Sequence, residues 1–164
     1  MSHPTLTRAA FAASLASAIG AVAFMRGARA SESYAVTHTD AEWRQILGPA
    51  RYAILREGGT ETPGSSPLLN EHRSGVYRCA GCELSLFSSK TKYDAGEGWP
   101  SFYTVLPNAT RTKADYELIA PRTEVHCRRC GGHLGHIFDD GPQPTGLRYC
   151  IDGLALKFVP GRTP

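Results

Sequence analysis

The sequence predicts a small antiparallel β domain with a helical N-terminal arm, and three observations carry that prediction. From Gly75 onward no helical periodicity remains; short runs rich in Val, Tyr, Phe, Ile and Leu alternate with Gly, Pro and Asp clusters. Two Cys-x-x-Cys pairs punctuate those runs as tight knuckles. Helix-start and helix-stop signals are confined to residues 39–59.

Taken in order, Thr39-Asp40-Ala41-Glu42 reads as a capping box, in which a threonine oxygen and a glutamate three residues on satisfy each other's backbone N–H. It opens a short helix through Leu47, stopped by Gly48-Pro49. Pro49 has no N–H to lose and suits the first position of a second short helix, which runs to about Glu57 and ends at Gly58-Gly59. Thr60 to Ser66 holds Pro63, Gly64 and two serines and is a loop. The strands or hairpin arms are Val76 to Arg78, Phe102 to Leu106, Tyr116 to Ile119, Glu124 to Cys127, His136 to Phe138 and Leu147 to Val159.

Residues 1–30 read differently. Arg8 precedes the uncharged, Ala-rich run Ala9 to Met25, and Ala28-Arg29-Ala30 offers a small-x-small peptidase site. That order predicts a secretory signal cleaved after Ala30, export to a bacterial periplasm, and a single domain over residues 31–164. An organellar transit peptide or an uncleaved membrane anchor is the alternative. The chain's net charge of +3 belongs to this leader. Three of the 18 basic residues, Arg8, Arg26 and Arg29, lie in it with no acid, so the other fifteen balance the 15 Asp and Glu. A neutral domain with only scattered Lys and Arg argues against nucleic acid.

Four of the five cysteines form Cys79-Ala80-Gly81-Cys82 and Cys127-Arg128-Arg129-Cys130. Two such knuckles close a tetrahedron of thiolates, so the spacing favours one structural zinc ion; disulfides are the alternative in an exported chain. His126, beside Cys127, reads as a strand residue rather than a substitute ligand. Cys150 is left over. In Leu147-Arg148-Tyr149-Cys150-Ile151-Asp152, alternation puts Arg148, Cys150 and Asp152 on one face and the apolar residues on the other. Arg148 would lower the thiol's pKa and Asp152 would raise it, so spacing leaves the sign open. Gly131-Gly132-His133-Leu134-Gly135-His136 can aim both histidines into one pocket only through a bend or bulge, because residues three apart in a straight strand face opposite sides.

These strings resemble the peptide methionine-R-sulfoxide reductases of the B type. The matching pieces are Gly75 to Cys82, Gly98-Trp99-Pro100-Ser101-Phe102, His133 to Pro142 and Arg148-Tyr149-Cys150-Ile151, spanning Trp43 to Phe158. The resemblance implies two small antiparallel sheets with short N-terminal helices, stapled by zinc on Cys79, Cys82, Cys127 and Cys130. It implies Cys150 as nucleophile, with His133, His136 and Arg148 in the catalytic pocket, and Trp99 and Phe138 as substrate-binding residues. The implied substrates are oxidised proteins or peptides, handled by a monomer. The chemistry suits the residue types: a thiolate attacks the electrophilic sulfoxide sulfur while histidine protonates the oxygen, leaving a sulfenic acid.

Two departures from the family pattern stand out. Glu97 occupies the position where many members carry a resolving cysteine, so Cys150 lacks an internal partner and an external thiol, from a thioredoxin-like protein or a small reductant, is expected to resolve it. Asp152 replaces the usual Asn two residues after the nucleophile. A zinc-ribbon binding module without catalysis is the rival reading, and it leaves Cys150 without a purpose.

Overall fold

The computed structural model describes residues 33–118 and 120–163. The predicted leader, its cleavage point and Ile119 lie outside the described residues.

Helix α1 (Asp40–Glu57) begins as the capping box requires: Thr39 Oγ1 accepts from the Glu42 N–H at 3.3 Å, and Glu42 Oε2 accepts from the Thr39 N–H at 2.8 Å. It is two short helices in one. Gly48 leaves helical geometry at φ 67°, ψ 170°, and Pro49 restarts the helix behind it. Trp43, Leu47, Tyr52, Ile54 and Leu55 form the buried face, and Gly58 closes the end in the left-handed conformation.

Nine strands follow among the described residues: β1 (Gly75–Cys79), β2 (Ser85–Ser88), β3 (Lys92–Tyr93), β4 (Ser101–Phe102), β5 (Thr110–Asp115), β6 (Arg122–Cys127), β7 (His133–Phe138), β8 (Arg148–Ile151) and β9 (Leu156–Pro160). All pairings are antiparallel. They make a three-stranded sheet, β2-β1-β9, and a six-stranded sheet, β3-β4-β8-β7-β6-β5. Between the sheets, Phe87 stacks on Phe102 at 4.3 Å between ring centroids and Tyr77 meets Phe102 edge-on at 4.9 Å; all three are fully buried. Each such ring contributes roughly 2–3 kcal/mol by leaving water. No helix among the described residues is long and apolar enough to cross a membrane.

The structure relocates three expected strands. Phe102 to Leu106 is a strand only to Phe102; the chain then turns so that the Leu106 N–H reaches Leu86 O in the other sheet. Tyr116 and Leu118 are exposed in the turn after β5, which runs instead through the polar Thr-Arg-Thr-Lys-Ala-Asp. As the last strand of its sheet, β5 needs no apolar outer face. Leu147 to Val159 is no hairpin: a 3-10 turn at Gly153–Ala155 sends β8 and β9 into different sheets.

Candidate active site and cysteine cluster

Both cysteine knuckles are built alike. Cys79 O accepts from the Glu83 N–H and Cys127 O from the Gly131 N–H, each at 2.9 Å, and both donors have left-handed φ, 59° and 68°. Cys79 ends β1 and Cys127 ends β6, so the cluster joins the two sheets. The sulfurs stand at 3.7 Å (Cys79 to Cys130) and 3.5 Å (Cys82 to Cys127), and all four lie within 4.8 Å of one another. A disulfide needs about 2.05 Å, whereas four thiolates on a tetrahedral ion at about 2.3 Å sit about 3.8 Å apart. The set fits a metal ion. His126 stands outside this group, its ring edge-on to Tyr34.

Cys150 lies elsewhere, on β8, opposite Ser101 of β4 and His136 of β7. A cavity of about 110 Å³ opens over it, walled by Trp99, Arg122, His136, Phe138 and Asp152. The bulge that the histidine spacing demanded is present. Register shifts between Val125 and His126 of β6, and the His133 and His136 rings come to 5.4 Å, edge to face. Gly135 makes this possible: it has φ 146°, and a Cβ there would run into Cys150 O. Only glycine lets β7 approach β8 so closely.

Each histidine is held by acids. His136 Nε2 is 2.7 Å from Asp115 Oδ2, and Arg122 Nη2 donates to the same oxygen at 2.7 Å. The Glu117 N–H, then His136 and Arg122, hold Asp115 at about 2. Burial lowers the pKa of His136 against the pull of Asp115, so its imidazole is neutral at pH 7. His133 does not wall the cavity; it is buried behind Asp152, with Nδ1 3.2 Å from Glu124 Oε1 and Nε2 3.8 Å from Asp152 Oδ2. Burial would raise the Glu124 carboxyl, but His133 and Lys113 hold it below its ordinary value.

The sign left open at Cys150 is now set. Burial pushes the thiol up to about 11; Arg148 pulls it down, while Asp152 and Glu97 push it further up. Arg148 is also held in a two-pronged pair with Asp140 at 2.7 Å per contact and lies over the Phe138 ring at 4.4 Å. Asp152 is itself raised to about 6, chiefly by burial, and its Oδ1 accepts from the Glu61 N–H at 2.8 Å. Trp99 is partly buried, and its Nε1 donates to Glu61 O at 3.1 Å. Sequence reasoning missed Glu61, Asp115, Arg122 and Glu124. Asp115 and Arg122 become neighbours only through the β5–β6 register, in which they face each other.

The fold and site define a class: a two-sheet β domain that sets four cysteines apart for metal and presents a fifth to a small aromatic-walled cavity. Residues 47–160 match the SelR domain. Over 126 residues the chain is 52% identical to the peptide methionine sulfoxide reductase MsrB of Agrobacterium fabrum, covering 76% of this chain and 93% of that protein. It is 50% identical over 129 residues to the MsrB of Leifsonia xyli, covering 77% of this chain and 93% of that protein. It is 49% identical over 117 residues to the chloroplastic peptide methionine sulfoxide reductase B1 of Arabidopsis thaliana, covering 71% of this chain and 58% of that protein. The chain belongs to the SelR-domain family of MsrB-type peptide methionine sulfoxide reductases.

Proposed function

We propose that the chain is a peptide-methionine (R)-S-oxide reductase with Cys150 as nucleophile. The observation that carries this is the 110 Å³ cavity joining the Cys150 thiol to the Trp99 and Phe138 rings and to His136. That space admits one side chain and little more. The rings offer an apolar wall to the S-methyl group, which fixes the face of the sulfoxide that meets the thiol and so favours one epimer, which the family resemblance makes the R form. The Cys150 sulfur bonds to the substrate sulfur, and its proton passes by way of His136 to the sulfoxide oxygen. The substrate S–O bond and the transient sulfur–sulfur bond then break as the oxygen passes to Cys150, so methionine leaves reduced by two electrons and Cys150, oxidised by two, remains as a sulfenic acid. One external thiol condenses with it and releases water; a second frees Cys150 as the reductant's disulfide forms.

A thioredoxin-like protein or a small thiol fills that reductant role, since the other four cysteines sit together in the metal-type cluster. Cys79, Cys82, Cys127 and Cys130 would hold one zinc ion, a structural brace between the sheets. The reading extends to oxidised proteins and peptides as substrates, to a monomer, and, through the leader, to export into a periplasm.

The test is reduction of a peptide carrying R- or S-methionine sulfoxide, with Cys150→Ser as control. Turnover of the R form alone, abolished in the variant, is expected. Activity on neither epimer refutes the reading. After one turnover without reductant, mass spectrometry should find Cys150 carrying one oxygen; an internal disulfide to Cys150 would overturn external resolution.

A further inference from the structure

Glu61 is a buried acid in a loop, and no basic side chain pairs with it among the described contacts. Its carboxylate is instead satisfied by backbone: Oε1 accepts from the Gly153 N–H, and Oε2 from the Leu154 N–H at 3.0 Å. Those amides open the 3-10 turn that directly follows Asp152. Gly153 has no room for a side chain, since a Cβ there would overlap Ser66 and approach Glu61 Oε1 to 3.1 Å. The Glu61 main chain serves the cavity directly, its N–H bonded to Asp152 Oδ1 and its carbonyl to Trp99 Nε1. Three residues on, the Gly64 N–H donates to Gly98 O at 2.8 Å, and Pro63 fills the space a side chain at Gly98 would need. Residues 61–64 therefore bracket both walls of the cavity, and the Glu61 carboxylate is the side-chain anchor that fastens the bracket to the nucleophile's side.

We propose that Glu61 is the positioning residue of the Cys150 cavity: by gripping the turn after Asp152, it sets the placement of Trp99 and Asp152 and with it the choice between sulfoxide epimers. The epimer clause rests on the reductase reading; the placement of Trp99 does not. The misplacement of a binding wall by about an ångström costs ten- to hundredfold in such sites.

The experiment compares wild type, Glu61→Ala and Glu61→Gln by iodide quenching of tryptophan fluorescence and by kinetics on both epimers. Trp43 is buried and silent to iodide, so quenching reports Trp99. In Glu61→Ala, quenching should rise, KM for the R-sulfoxide peptide should rise at least tenfold with a smaller fall in kcat, and R-over-S selectivity should drop. Glu61→Gln retains one acceptor for two amides and should fall between. Should the alanine variant lack the wild-type far-UV spectrum, the glutamine variant decides alone. Wild-type quenching, KM and selectivity in a folded variant overturn the proposal. If the wild type reduces neither epimer, the functional reading fails, and unchanged quenching or its rise still decides the positioning.

Discussion

Asp152→Asn offers a direct reading of how the site treats a buried acid. Its folded pKa of about 6 stands above the ordinary 3.8, and the groups facing it are Glu61, His133 and Cys150. The sign follows from which state holds the proton. Below the unfolded value Asp152 is protonated in both states and its pH linkage vanishes. As pH rises through the interval to 6, the unfolded chain ionises first and stability falls; above 6 the cost is fully present. At 1.36 kcal/mol per pH unit, that cost is about 3 kcal/mol, near 10 °C of melting temperature for a domain of this size. Asparagine keeps an Oδ1 for the Glu61 N–H and carries no charge to bury. Thermal melts from pH 3.5 to 8 should therefore show the variant gaining on wild type through pH 4–6 and holding the gain above. Alkylation of Cys150 by iodoacetamide should also quicken at pH 8, because the Asp152 carboxylate holds that thiol up. A melting difference that is flat across the range refutes the reasoning.

Two further outcomes are expected. Metal analysis should find one zinc per chain in wild type and in Cys150→Ser and none in Cys127→Ser, whose melting temperature should fall by several degrees, because the Cys127 and Cys150 sulfurs belong to separate sites. Gly135→Ala should lower stability by about 3 kcal/mol or more, read as a reduced urea midpoint, since its methyl meets Cys150 O at a backbone angle alanine resists.

How legible this was in the sequence depended on where the information sits. The two halves of α1 carry their own start and stop chemistry, so Thr39, Gly48-Pro49 and Gly58 could be read one by one. The cysteine pairs are local knuckles, and their spacing exposed them. Cys150 stood out by subtraction and by alternation with Tyr149 and Ile151. What escaped depends on pairing between distant segments. The β5 strand has an open outer side and so shows no apolar alternation, which drew the expected strand to Tyr116 and Leu118. Asp115 and Arg122 meet only once β5 and β6 are in register. Glu61 works through its main chain and through amides 92 and 93 residues away, a contact no local pattern marks. The charge state of Cys150 is a contest between burial and neighbours, and burial is invisible until the sheet closes.

The position of β8 has a consequence for how the reduced state is restored. The strand is laced on both sides, to β4 and β7; its last residue is tied by the Ile151 N–H to Pro100 O, and the next by the Asp152 N–H to Leu134 O. A cysteine on a hinge or tail can travel to meet a second sulfur; one woven into the middle of a sheet is stationary. Under the proposed cycle, electrons come to its address from outside. That cycle then favours a donor whose own sulfur stands on a narrow projecting tip, able to pass the Trp99 and Phe138 walls of the cavity, over a donor with a recessed thiol.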